Sequence, residues 1–231
     1  MQQKEENLAI GKNDNMNDII IYTAITGNKD ILKEYQVTDN ADFVCFTDNP
    51  DLRSETWEIF TACNLFHDTN RNAKIHKILA HKYFSDYTYS MWIDGALSLK
   101  VPVESLIDKY LSDTDIALYR HQIGRNCIFK EAEACIALKF DNIDTMKEQV
   151  KHYKDLDYPS DYGLYECPVI LRRHTPEIEE LNNFWWAEIC RYSRRDQLSF
   201  NYILWELGIR VTTIPGHIKD GIYFNRIPHR Y

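Results

Sequence analysis

The sequence predicts a single α/β domain, built on a mixed but mostly parallel central sheet flanked by helices. Three observations carry that reading. Residues 18–27 form a near-continuous apolar, β-branched run that closes on Thr26 and Gly27 with Asn28 next, the pattern of a parallel strand buried on both faces. Further short strand-like runs follow, with helix-length segments of period 3.6 set between them. A chain of 231 residues, 44% hydrophobic and 13% aromatic, suits one domain with a sizeable core. Residues 1–17 are rich in Gln, Glu, Lys and Asn and read as a disordered leader; residues 18–231 are the domain.

Strands are expected at 42–48 and 57–61, ending in Thr47-Asp48 and Thr61. One such ending is a turn, but several in succession suggest a shared polar rim. Residues 70–84 are helical, with Ile75, Ile78, Leu79 and Tyr83 on one face. Arg71, Lys74, Lys77 and His81 share the neighbouring face, either as a solvated stripe or as cations for an anionic ligand. Val103, Leu106, Ile107 and Tyr110 mark an amphipathic helix, and 115–119 a strand. Two helices at 129–139 and 141–154 follow, the first carrying Glu131 and Glu133, which are active-site acids or simply solvated. The strand at 165–171 contains Pro168, so it belongs at a sheet edge or starts after the proline.

A helix then begins at Thr175-Pro176 and buries Ile178, Leu181, Trp185, Ile189 and Tyr192. The helix at 196–207 is apolar around its circumference and therefore buried, which brings Arg194, Arg195, Asp196 and Gln197 towards the interior. The spacing of Ser193 and Asp196 also fits a capping box. A last strand at 209–214 precedes Pro215, Gly216, His217 and an irregular tail.

Composition excludes several classes. A net charge of −8 argues against a general nucleic-acid binder but permits a local basic pocket. The six cysteines are scattered, with no Cys-x-x-Cys pair, and read as reduced core residues of a cytoplasmic protein. No secretion signal opens the chain, and no run reaches the roughly 20 apolar residues of a membrane span. Any membrane association is expected to be peripheral.

The strand at 89–93 delivers Asp94 at its carboxyl end, followed by Gly95. Ligands of open α/β sheets sit beyond such strand ends, so Asp94 is a candidate for chemistry; equally, Asp-Gly is a strong turn pair.

Several tags occur in order: Tyr22-Thr23-Ala24-Ile25-Thr26-Gly27, Arg71/Lys74/Lys77, Trp92-Ile93-Asp94-Gly95, His121 with Arg125, Glu131 with Cys135, and Arg195-Asp196-Gln197. Together, over residues 19–225, they resemble the glycosyltransferase-like family named for the plant turgor-regulation-defect and mucilage-related proteins, which has bacterial members. The resemblance implies a GT-A-like, Rossmann-related fold and transfer from a nucleotide-sugar donor to a glycan or glycolipid acceptor, in surface polysaccharide synthesis. It also implies a divalent metal, Mn²⁺ or Mg²⁺, on the strand-end aspartate. The usual Asp-x-Asp is reduced here to Asp94 alone, so His217 is the further ligand expected by analogy.

On this reading Thr23, Ala24, Thr26, Gly27, Asn28, Asp48, Arg71, Lys74, Lys77, Asp94 and Gly95 bind the donor. Asp196, as general base or stabiliser, acts with Gln197 and Arg195, and His121, Glu166, Arg172 and His174 meet the acceptor. Two other classes stand beside it: a catalytically silent nucleotide- or glycan-binding module, and a lipid-amide or ester hydrolase, for which no Gly-x-Ser-x-Gly or His-Glu-x-x-His motif is present.

Overall fold

The computed structural model describes residues 17–62, 64–121 and 124–226, so the expected leader lies outside it apart from Asn17. The amino-terminal half runs β1 (Ile19–Ile25), β2 (Asp42–Thr47), β3 (Glu58–Thr61), α1 (Thr69–Ile78), α2 (Ala80–Tyr83), β4 (Tyr89–Ile93), β5 (Leu97–Leu99) and α3 (Val103–Tyr110). It continues through β6 (Ile116–Arg120), α4 (Ile128–Ala137), α5 (Ile143–Asp155), β7 (Tyr165–Arg173), α6 (Pro176–Arg191), α7 (Asp196–Leu207), β8 (Thr212–Ile214) and β9 (Phe224–Arg226).

The main sheet has the order β3-β2-β1-β4-β7-β6-β8, with β7 antiparallel to both neighbours and the other pairings parallel. Alternation along β1 explains the layers. Ile20 and Tyr22 enter the core beneath α1, α4, α5, α6 and α7, while Ile19 and Ile21 enter the core beneath α3. Both faces of the central strands are covered, which is why their sequences are apolar throughout. No helix among the described residues is long and apolar enough to cross a membrane.

Three local expectations change. Strand β7 is interior, not an edge. Leu118 pairs with Ile170 and Tyr119 with Glu166, so Cys167, Pro168 and Val169 bulge away from β6 and the missing Pro168 N–H breaks no ladder bond there. The helix expected over 70–84 divides at Leu79 (φ −88°, ψ 38°), and His81 turns inward beside Asn182. The tail expected to be irregular is ordered as far as Arg226: β9 pairs with β5, and a short helical turn at Ile218–Asp220 precedes it, while residues 227–231 lie outside the described residues.

Three histidines lie inside this packing. His76 stacks on Phe46 with ring centroids 4.0 Å apart, His81 faces Asn182, and His174 bonds Ser90. Burial pushes each down to about 4, helped by Lys82 and Arg172 beside His81 and by Arg172 beside His174. The unfolded chain takes up these protons near pH 6.5, whereas the native state resists until about pH 4. Stability therefore falls with pH between those values, by up to about 1.4 kcal/mol per unit for each histidine. Urea midpoints measured across the window should show this slope, and His76→Gln should flatten it by about a quarter to a third. A midpoint independent of pH would overturn the assignment.

Candidate active site

Because β7 runs against its neighbours, the carboxyl ends of β1, β4, β6 and β8 meet the amino end of β7 at one rim. Strand order reverses direction at β1 and β4, the switch point where open α/β sheets leave a crevice. A cleft of about 460 Å³ opens there. Thr26 follows β1, Asp94 and Gly95 follow β4, His121 follows β6, His217 follows β8, and Glu166 lies near the start of β7. Helix α1 adds Lys74 and Lys77, and the amino end of α7 adds Asp196 and Gln197, with Arg195 just before it.

Gly95 permits a close approach. A Cβ there would lie 3.1 Å from both Asp30 Cβ and Ile25 Cγ1. Gly95→Ala is therefore expected to cost about 1–2 kcal/mol through overpacking, read as a melting-point drop of about 4 °C. An unchanged melting point would show that Asp30 moves aside freely.

The centre of the cleft is a chain of alternating charges. Asp196 Oδ2 lies 2.8 Å from both Lys74 Nζ and Lys77 Nζ. Lys77 Nζ also lies 3.5 Å from Asp94 Oδ1 and 5.3 Å from the Trp92 ring centroid, and Trp92 Nε1 donates to Asp94 Oδ1 at 2.7 Å. Burial opposes the charge on Asp196, but Lys74, Lys77 and then Arg195 outweigh it and hold the carboxyl well below the usual carboxylate range. Burial likewise opposes the charge on Lys77, and Asp196 with Asp94 outweighs it, so Lys77 is raised and firmly cationic. Lys74 is lowered, because burial and its neighbour Lys77 exceed what the shared Asp196 restores. The backbone beneath Lys77 is fixed too: its carbonyl accepts from Tyr22 at 2.8 Å and from Arg172 at 3.0 Å.

A second cluster lines the opposite group of strands. Glu131 is 2% exposed and lies 2.8 Å from Arg125 Nε, a close ion pair whose N–H is not aligned on the oxygen; Arg195 stands 3.5 Å away. Glu166 Oε1 is 3.8 Å from the Nε2 of both His121 and His217. Burial, before any neighbour, pushes His121 down. Glu131 is thus neither solvated nor on an outer face, whereas Glu133 is exposed.

The structure brings together Ala24, Thr26, Lys74, Lys77, Asp94, Gly95, His121, Glu166, Arg195, Asp196, Gln197 and His217 at this cleft. It places seven other expected residues outside its lining. Thr23 is 1% exposed within β1. Asp48 spends both carboxylate oxygens on the Gly27 N–H, at 3.1 and 2.9 Å, bracing the loop in which Gly27 and Asn28 take positive φ. Arg71 donates to the carbonyls of Ile189 and Tyr192 and so closes the end of α6. Arg172 and His174 sit at the far end of the antiparallel β7, opposite Ser90 and beyond, where Arg172 supports Lys77 from below. They cannot reach an acceptor in the cleft.

Asp196 also changes role. Its Oδ2 is bound at 2.8 Å by two lysines that hold the carboxyl acidic, which makes it a weak proton acceptor and ill suited to the general-base role. Nor is it part of a capping box: Ser193 Oγ donates to Asp141, and Arg195 caps α7 with no side-chain bond. Six further lining residues, Trp92, Arg125, Lys29, Asp30, Lys219 and Arg226, were not among the expected binding residues. Trp92 and Arg125 carried a signal as tags of the resemblance, and Lys29 and Asp30 as part of the loop after the first strand, whereas Lys219 and Arg226 carried none.

A cation held between Asp94 and His217 would need free lone pairs from both. Asp94 Oδ1 already faces two donors, Trp92 Nε1 and Lys77 Nζ, which leaves Oδ2 as the single oxygen it could offer a cation. His217 Nδ1 accepts the Lys219 N–H at 2.9 Å, which leaves the proton of the neutral ring on Nε2, towards Glu166. Among the described residues, no group of three His, Cys, Asp or Glu converges as a metal set. These residues do not fit a bound Mn²⁺ or Mg²⁺.

The family model of the TOD1/MUCI70 glycosyltransferase-like domain matches residues 40–215, from before β2 through β8. The chain belongs to this family. It is 33% identical over 188 residues to the probable hexosyltransferase MUCI70 of Arabidopsis thaliana, covering 76% of this chain and 32% of that protein. It is 26% identical over 176 residues to the alkaline ceramidase TOD1 of the same plant, covering 69% of this chain and 38% of that one. The chain thus spans about a third of the length of these curated relatives. Among solved structures, the WbbM bifunctional glycosyltransferase in its apo form matches with a TM-score of 0.54 at 15% identity, over 90% of this chain and 40% of that one. That likeness bears on the fold, which is the GT-A-like architecture expected from the sequence. The stretch matching the TOD1/MUCI70 model contains both lysines, Asp94, Glu131, Glu166 and Asp196; Thr26 and His217 fall outside it.

Proposed function

We propose that the cleft binds a nucleotide sugar and transfers its sugar to a hydroxyl of a glycan or glycolipid, in the cytoplasm and in the service of surface polysaccharide synthesis. The observation that carries this reading is the pair of lysines, Lys74 and Lys77, at the sheet's switch point beside Asp94. The bond from the anomeric carbon to the diphosphate oxygen breaks, the acceptor oxygen bonds to that carbon, and the diphosphate leaves with the bonding electrons. Negative charge grows on the leaving oxygens, so fixed cations there act more on the transition state than on the ground state. The acceptor must lose a proton. Glu131 is committed to Arg125 and Arg195, with His121 at 3.7 Å, whereas among the described residues Glu166 pairs with the two histidines His121 and His217, and it is the carboxylate we assign to accept the proton. Ala24 and Thr26 line the side given to the nucleotide, and Arg195 and Gln197 the side given to the sugar.

The resemblance to a ceramidase favours one rival, amide hydrolysis. Incubating the protein with a panel of nucleotide sugars and measuring nucleotide release, with ceramide hydrolysis measured in parallel, separates the two. Slow donor hydrolysis, accelerated by a glycan acceptor, is the expected result. Ceramide cleavage without nucleotide binding would overturn it, and tight nucleotide binding without turnover on any acceptor would mark a silent module.

A further inference from the structure

We infer that the donor's diphosphate is held directly by lysine, with Lys77 foremost, and that no divalent cation bridges it to Asp94. The inference rests on the nucleotide-sugar reading above and adds what neutralises the leaving group.

Three independent features point the same way. The first is the environment of Asp94. A metal bridge would place a doubly charged ion against a carboxylate whose inner oxygen already faces the Trp92 N–H at 2.7 Å and an ammonium at 3.5 Å. Lys77 already supplies a cation beside that carboxylate, and a second cation there would be repelled. Nothing frees the lysine to withdraw: its side chain is 5% exposed, it is bound by Asp196, and its backbone is fixed by Tyr22 and Arg172.

The second feature is His217. Its Nδ1 lone pair is taken by the amide of Lys219, and its Nε2 faces the Glu166 carboxylate. That orientation suits a hydrogen-bond donor and leaves no lone pair for a metal.

The third is the charge of the cleft as a whole. Among the described residues, seven Lys and Arg line it against five Asp and Glu, on a chain whose net charge is −8. Lys29, Lys219 and Arg226 stand around the rim, outside the two central clusters. A pocket that holds an excess of cations on an acidic protein already neutralises an anionic ligand. Preorganised side chains of this kind do the electrostatic work that a metal does in other sites, without recruiting one from solution.

The experiment is calorimetric titration with UDP and GDP, in excess EDTA and again with Mn²⁺, together with electron paramagnetic resonance of Mn²⁺ titrated into the protein with and without the nucleotide. Affinity for one of the two nucleotides should agree within about twofold between buffers, and the free Mn²⁺ signal should not fall beyond that of nucleotide alone. Lys77→Met should weaken binding at least about tenfold in both buffers, with Lys77→Arg restoring part of it. Lys74→Met provides a second variant, expected to weaken binding less, should the first fail to fold. Nucleotide binding that appears only with Mn²⁺, or Mn²⁺ captured by the protein–nucleotide complex, would overturn this inference and leave the transferase reading standing. Failure of both nucleotides to bind in either buffer would overturn both.

Discussion

Asp196→Asn is expected to lower the melting temperature by about 10 °C, because it leaves two buried lysines without their shared counter-charge. Asp196 Oδ2 lies 2.8 Å from each of Lys74 and Lys77, whose side chains are 18% and 5% exposed, and is itself 6% exposed. Removing one member of such a buried set costs about 3–5 kcal/mol, since the remaining charges lose their partner but stay out of water. An ordinary helix cap would cost about 1 kcal/mol, and a drop of only 2–4 °C would return Asp196 to that lesser role. The same carboxylate has a pH signature. Its folded pKa is depressed, so its contribution is fully present above the ordinary aspartate value of 3.8 and is lost as pH falls below it. Wild type should therefore lose stability in acid below pH 4 along a step that Asp196→Asn lacks.

Asp94→Asn should do the reverse: little change in melting temperature, but a loss of transfer of about a hundredfold, the scale of one preorganised electrostatic group. The Asp94 side chain is 39% exposed, and Lys77 keeps Asp196 as a partner without it. The turn after β4 does not need the carboxylate either, since it is closed by the Leu97 N–H on the Asp94 carbonyl at 2.9 Å. What the substitution removes is the negative charge that, with Trp92, holds Lys77 towards the cleft. Nucleotide release from the preferred donor and a thermal melt, measured on one preparation, check both halves. A variant that unfolds would show that the Asp-Gly pair serves the turn after all, and one that keeps full turnover would remove Asp94 from the chemistry.

Burial on two faces is written into the sequence as apolar β-branched runs, and burial on one face as a period of 3.6, so most strands and helices between Ile19 and Ile214 were legible, whereas the short β5 and the break at Leu79 were not. The strand-end positions of Thr26, Asp94 and His121, and the helical spacing of Lys74 and Lys77, were legible for the same reason. Residues alone did not reveal that Glu131, one of two similar acids on the helix, is sealed between Arg125 and Arg195, while Glu133 faces water. A helix has no preferred side until something packs against it.

What the sequence by itself determined is the inventory: which segments extend, which coil, and that polar groups gather where strands stop. The tertiary structure alone decided which of those groups meet. One strand direction, that of β7, carries Glu166 into the cleft and sends Arg172 and His174 to the far end of the sheet. One helix start, that of α7, carries Asp196 across more than a hundred residues of chain onto two lysines. Local periodicity records how deeply a residue is buried, whereas strand direction and long-range ion pairing depend on partners distant in the chain, and no local pattern encodes them.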